Sequence, residues 1–292
     1  FTRYKNNLGI SNYCIYLCHP FNIMMKKYLT IFLFTLILFS CGEYQKVLKS
    51  DDFNYKYAKA VSYYEDADFN RALPLFSELT TIMMGTSKME EVSYYYAYCH
   101  YSTGENLMAA HLFKNYAINY PNSKHAQECS YMGAYCYYLE SPNYSLDATN
   151  NYKAIKALQA FINKYPASDR VEQCNNLIDE LRAKLSKKAF ENAKQYYTTE
   201  NYKSAIIALD NVLIDFPSFE KREEVHYLIV KSSFLLAINS VSTKIEERLN
   251  ATLDAYEQFK DNYNESKYLK ELEETHNKTT HSLEQLKQKK DE

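Results

Sequence analysis

A small residue placed twelve positions before a closing proline recurs along this chain, and it dictates the architecture. Tyr120-Pro121-Asn122-Ser123, Tyr165-Pro166-Ala167-Ser168 and Phe216-Pro217-Ser218-Phe219 each end a segment in which alanine stands twelve residues before the proline, at Ala109, Ala154 and Ala205. Four residues after each alanine comes a large apolar side chain, Phe113, Leu158 and Leu209. Ala72 and Phe76 keep the same spacing, with Met84 in the proline position. A weaker fifth copy ends at Tyr263-Asn264-Glu265-Ser266, where Ala251 and Ala255 stand near the expected position but off register.

The physics of such a segment is a helical hairpin. Tyr57, Ala60, Val61 and Tyr64 recur at i, i+3, i+4, i+7 and make one face of a helix. Glu65-Asp66-Ala67-Asp68 makes the turn, Phe69 tucks under it, and Ala72, Leu75, Phe76 and Leu79 form the face of the returning helix. The alanine is small so that two antiparallel helices approach closely. The proline stops the second helix, and Ser123 and Ser168 are placed to cap the next one. Ser102-Thr103-Gly104-Glu105-Asn106 and Thr198-Thr199-Glu200-Asn201-Tyr202 read as turns of the same kind.

This pattern resembles the tetratricopeptide repeat over about Tyr55 to Tyr263, with Tyr196 and Tyr202 also matching around Ala205. The usual Trp and Gly of the first helix are missing, and the proline-to-proline steps are 45 and 51 residues rather than about 34. Ser141–Asn150 is read as a loop in the third hairpin, and Arg170–Leu185 as an extra helical stretch before the fourth. The expected fold is all-α: a tetratricopeptide-repeat solenoid of about five hairpins across residues 55–266, because one hairpin cannot bury its own apolar face. Residues 267–292 read as a C-terminal capping helix and tail, fraying beyond Lys287.

Composition agrees with helices: Gly is scarce at 5, Trp is absent and Tyr reaches 30. A net charge of -2 supplies no field that would draw the chain onto nucleic acid. There is no Gly-rich phosphate loop and no Gly-x-Ser-x-Gly elbow. His100, His111, His125, His226, His276 and His281 lack metal-ligand spacing, and the carboxylate pairs Glu90-Glu91 and Glu246-Glu247 read as solvated helix faces. No catalytic residue, cofactor or metal is therefore expected. Cys99, Cys129, Cys136 and Cys174 are either small packing residues or disulfide partners, and four cysteines allow three complete pairings. Tyr95, Tyr96, Tyr98 and Tyr101 crowd one helix, some of them in a core and some on a concave surface.

The N-terminal region carries a different signal. Residues 1–23 read as upstream over-translation, and residues 24–40 as a signal peptide in which Lys26-Lys27 precedes the apolar run Tyr28–Phe39. That run is too short to span a bilayer, which takes roughly 20 residues. Leu38-Phe39-Ser40-Cys41 resembles a bacterial lipobox, with cleavage between Ser40 and Cys41 and acylation of Cys41 on sulfur and on the new amine. Residues 41–54 read as a lipid-tethered linker.

The lipobox, the tether leading through Cys41–Asp52 into the first hairpin, the Tyr-Pro-x-Ser joints and a mature length of about 250 residues together resemble the BamD family of outer-membrane assembly lipoproteins. The resemblance implies a non-catalytic protein anchored by acyl chains in outer-membrane lipid and facing the periplasm. Its implied partners are the periplasmic domains of BamA, other members of the barrel assembly complex, and unfolded outer-membrane β-barrel clients. Tyr64, Tyr96 and His100 are the candidate client-contacting residues. Rival readings are another periplasmic scaffold lipoprotein, for envelope maintenance or division, a glycan-binding uptake lipoprotein, and a wall-cleaving enzyme. Sugar platforms favour Trp, which this chain lacks.

Overall fold

The computed structural model describes residues 42–291. The proposed over-translation, the signal peptide and Cys41 lie outside the described residues. Within them every regular element is helical and no strand occurs.

A short helix α1 (42–48) is followed by α2 (Phe53–Glu65), α3 (Phe69–Ile82), α4 (Met89–Ser102) and α5 (Asn106–Asn119). Then come α6 (Ala126–Leu139), α7 (Thr149–Lys164), α8 (Val171–Thr198), α9 (Tyr202–Asp215), α10 (Arg222–Ile238), α11 (Ser242–Asn262) and α12 (Leu269–Asp291). The chain divides into two compact units, one ending at Leu112 and the other beginning at Phe113.

In the first unit α2 packs on α3, α3 on α4, and α2 also touches α4. The core gathers Val47, Ala60, Ala72, Leu75, Phe76, Leu79 and Val92, all fully buried. Asp52 caps α2 by accepting from the backbone N–H groups of Asn54 and Tyr55. In the second unit each helix from α6 to α12 packs on the next, and α10 also touches both α8 and α12.

The small-residue rule holds throughout. Ala72, Ala109, Ala154 and Ala205 are all fully buried. On α11 the position twelve before Asn264 is Thr252, 1 % exposed, and four residues later stands Tyr256, 3 % exposed. The off-register Ala251 and Ala255 of the sequence reading are thus replaced by Thr252. Its hydroxyl donates to the Arg248 carbonyl at 2.9 Å, so a polar side chain fits a tight helix contact without an unpaired group.

The joints between hairpins share a second rule. Ser123 N–H bonds Tyr120 O and Ala126 N–H bonds Ser123 O, and the same two bonds recur at Tyr165/Ser168/Val171, Tyr263/Ser266/Leu269 and Met83/Thr86/Met89. Ser123 and Ser168 do not occupy the N-cap positions expected of them, which fall to His125 and Arg170. Their hydroxyls instead accept from the N–H groups of His125 and Arg170, two residues on, at 3.1 and 3.3 Å. In the fourth joint Phe219 takes the serine's place and packs its ring tilted against Phe190, with centroids 5.4 Å apart.

Three turns are built alike. Asp68 N–H reaches Tyr63 O, Glu105 N–H reaches His100 O and Asn201 N–H reaches Tyr196 O, the long closing bond of a Schellman turn. Each turn puts a residue in the left-handed region: Ala67 (φ 57°), Gly104 (φ 81°) and Glu200 (φ 62°). Only the middle one is glycine, the residue that adopts this conformation without strain.

Three segments differ from the sequence reading. The extra stretch before the fourth hairpin is no separate element: α8 runs unbroken for 28 residues, because neither Gly nor Pro interrupts Val171–Thr198. The stretch read as a linker contains α1, and α12 stays helical past Lys287 to Asp291.

Candidate binding surfaces on α4 and α6

Helix α4 carries five tyrosines on two faces. Tyr95 turns inward, stacked on Phe76 at 5.4 Å and met edge-on by Tyr64 at 4.8 Å. Tyr64 in turn contacts Phe69 at 5.6 Å. Tyr96 packs partly on the same core, and its ring lies 4.6 Å from that of His100. The other face holds Tyr94, Tyr98 and Tyr101 at i, i+4, i+7, with centroids 4.7 and 6.4 Å apart and the second contact edge-on.

The candidate contacts Tyr64, Tyr96 and His100 therefore belong to the aromatic body of the first unit. Tyr64 and Tyr96 are half-buried. His100 is 6 % exposed; its Nδ1 lies 2.7 Å from Glu105 Oε2, and its buried Nε2 has no hydrogen-bond partner.

Helix α6 carries Tyr131, Tyr135 and Tyr138 at the same i, i+4, i+7 spacing, but here the rings stack. The centroids are 5.7 and 5.8 Å apart at 14° and 20°. Tyr131 rests edge-on against Phe161 at 5.8 Å, and the Arg170 guanidinium lies 4.2 Å from its ring centroid. At the other end Lys184 Nζ stands 5.6 Å from the Tyr138 centroid. The Tyr138 hydroxyl donates to Glu180 Oε2 at 2.6 Å. That bond to a carboxylate, with burial, pushes the phenol up to about 12. Two cations thus flank a ladder of three rings; Tyr131, 3 % exposed, belongs to the core, and only Tyr135 and Tyr138 are half-exposed, where they can meet apolar side chains of an extended polypeptide.

Bonds of the same kind as Tyr138–Glu180 recur between other helices. Tyr57 on α2 donates to Glu91 on α4 at 2.6 Å, and Tyr227 on α10 donates to both oxygens of Glu271 on α12, at 3.0 and 3.1 Å. In all three the phenol is raised; burial is the larger cause for Tyr57 and Tyr227, the carboxylate bond for Tyr138. Lys194 on α8 makes the analogous link to Glu224 on α10 at 2.8 Å.

Chemical machinery is otherwise sparse. Cys99, Cys129, Cys136 and Cys174 are free thiols and all are buried. Burial pushes the first three up to about 12, which keeps them protonated and unreactive at neutral pH. Glu91 is engaged by Tyr57, and Glu247 pairs with Lys244 at 2.7 Å. Among the described residues no group of His, Cys, Asp and Glu could hold a metal ion. No described helix is long and apolar enough to cross a membrane. The ladder's cations, Arg170 and Lys184, escaped the sequence reading, since nothing local marks a residue some 40 positions away as a neighbour of α6.

Comparison with known proteins gives three findings. The family model YfiO, described as outer membrane lipoprotein and corresponding to the BamD family, matches residues 50–224. No curated protein matches the chain. Among solved structures, the chain is similar to the crystal structure of the P58(IPK) TPR domain at 2.5 Å, with 15 % identity, a TM-score of 0.38, and coverage of 82 % of this chain and 68 % of that one.

Proposed function

This chain belongs to the YfiO family of outer membrane lipoproteins, and from that premise we propose that it is a non-catalytic component of the barrel assembly machinery. In this reading it is cleaved between Ser40 and Cys41, acylated at Cys41 and held on the periplasmic face of the outer membrane. It binds the periplasmic domains of BamA and other complex members, and it takes up unfolded β-barrel proteins for insertion. Its hairpins are five tetratricopeptide-like repeats, with α12 as the cap on the last.

The family match over residues 50–224 is the observation that carries this reading. The aromatic surfaces support it. The half-exposed rings of Tyr135 and Tyr138 on α6 and of Tyr64 and Tyr96, with His100 behind Tyr96, suit apolar residues of an extended client strand. The buried, protonated thiols supply no nucleophile.

Depletion of the protein followed by counting outer-membrane barrels tests the role: barrel levels are expected to fall, and unchanged levels overturn it. Crosslinking in cells is expected to recover BamA; recovery of division or wall-maintenance proteins without BamA would favour the alternative scaffold reading. Cys41→Ala is expected to remove acyl chains and membrane retention.

A further inference from the structure

The repeat pattern does not account for α1. The seven described residues of α1 would not hold a helix in water by themselves, yet they are pinned to the first hairpin. Glu43 pairs with Lys59 at 2.8 Å, which also neutralises the acidic group nearest Cys41. The Tyr44 ring meets Tyr63 edge-on at 5.8 Å, lies 5.9 Å from the Arg71 guanidinium, and its hydroxyl donates to Arg71 O at 3.4 Å. Val47 is fully buried in the core with Ala60, Ala72 and Leu75.

The last fastening is the most telling. Lys56, 1 % exposed, sends its ammonium to the Leu48 carbonyl at 3.1 Å and to Glu78 Oε1 at 2.7 Å. A cation shut away from water is tolerated only while its hydrogen bonds are made. One of those two acceptors is the C-terminal end of α1, so displacing α1 takes away a hydrogen bond and leaves the ammonium on Glu78 alone. The sequence invests a buried lysine in keeping this short helix docked.

Resting on the proposed acylation of Cys41, we infer that α1 is a stiff coupling that holds the first unit directly against the bilayer surface in a fixed orientation. Residue 42 is already helical, so the acylated residue is bonded directly to a helical one, about 3.8 Å from Cα to Cα across a trans peptide. A disordered tether across residues 41–54 would instead wander by roughly 20 Å. The partner of the α1 end of this unit is the lipid headgroup layer.

The test uses the acylated full-length protein in phosphatidylethanolamine–phosphatidylglycerol vesicles with an energy acceptor on the headgroups. A donor is placed at Lys46→Cys, an exposed site, while the native thiols of the body are buried. The expected result is one short, narrow distance distribution. Inserting about twelve Gly and Ser residues between Cys41 and Gly42 should lengthen it and broaden it about twofold. A parent distribution as broad as that of the insertion variant overturns the inference.

Lys56→Met combined with Val47→Asp should broaden the distribution likewise. Because that variant could unfold the unit, hydrogen exchange on the parent gives an independent reading. The Lys49 amide, bonded to Gln45 O at 3.2 Å, should exchange about a hundredfold slower than in an unfolded chain. Exchange at the unfolded rate overturns the coupling while leaving the lipoprotein reading intact. A mature product whose mass shows no acyl chains overturns both.

Discussion

Helices α4 and α6 place tyrosines at the same i, i+4, i+7 spacing and build different surfaces from them. On α4 the set Tyr94, Tyr98, Tyr101 closes with an edge-on contact, while Tyr95 is spent on the core against Phe76. On α6 the three rings lie nearly parallel, with Arg170 and Lys184 at the ends of the ladder. Spacing decides that the rings share a face. Their tilt is decided by what lies beneath and beside them, and those neighbours come from distant parts of the chain.

The comparison breaks most sharply if the supporting phenylalanines are removed. Phe161→Ala beneath Tyr131 and Phe76→Ala beneath Tyr95 should each cost about 3–5 kcal/mol, measured by denaturant titration. The near-UV signal should change from the α6 tyrosines in the first case and from the α4 tyrosines in the second. Equal spectral changes in both variants would mean that the two surfaces are not independently supported.

A smaller loss is expected from Arg170→Ala, about 1–2 kcal/mol, since Tyr131 loses a close cation. As a control, Lys114→Ala at an exposed position should stay within about 0.5 kcal/mol. Tyr138→Phe deletes the bond to Glu180 and should cost about 1 kcal/mol at neutral pH.

The same residue gives an alkaline signature. The folded state holds the Tyr138 proton up to about 12, against an ordinary value of 10.0. Its stabilising contribution is therefore fully present below pH 10 and is lost as pH rises through 12. Tyr138→Phe should flatten that part of the stability profile, and in the parent protein Tyr138 should be among the last phenols to ionise by ultraviolet titration. The smallest expected effect is on the thiols: maleimide should leave Cys99, Cys129 and Cys136 unmodified in the native protein and react after denaturation.

Much of the hairpin grammar was legible because its key positions are steric. Ala72, Ala109, Ala154 and Ala205 mark close helix approach, and Pro121, Pro166 and Pro217 follow helix ends that lack any other stop. The grammar blurred where chemistry was substituted within one shape. Thr252 serves as an alanine by returning its hydroxyl to Arg248, and Phe219 serves as a serine by packing on Phe190 instead of bonding the backbone. Docking of α1 was illegible because a lone lysine, Lys56, reads as surface until its burial is seen. The cations of the α6 ladder were hidden for the same reason, since only folding brings them there.

The unbroken α8 has a mechanical consequence. At 28 residues it is a beam about 42 Å long. Its early turns bury Cys174, Leu177 and Ile178, and its late turns bury Phe190 and Ala193 in the cluster that includes Leu209 and Val225. Lys184 and Lys188 along its middle fasten the 141–148 loop through Ser141 and Leu146. With no joint between those stations, α7 and α9 are geared to one shaft: a torque delivered at either end is passed on to the other rather than absorbed.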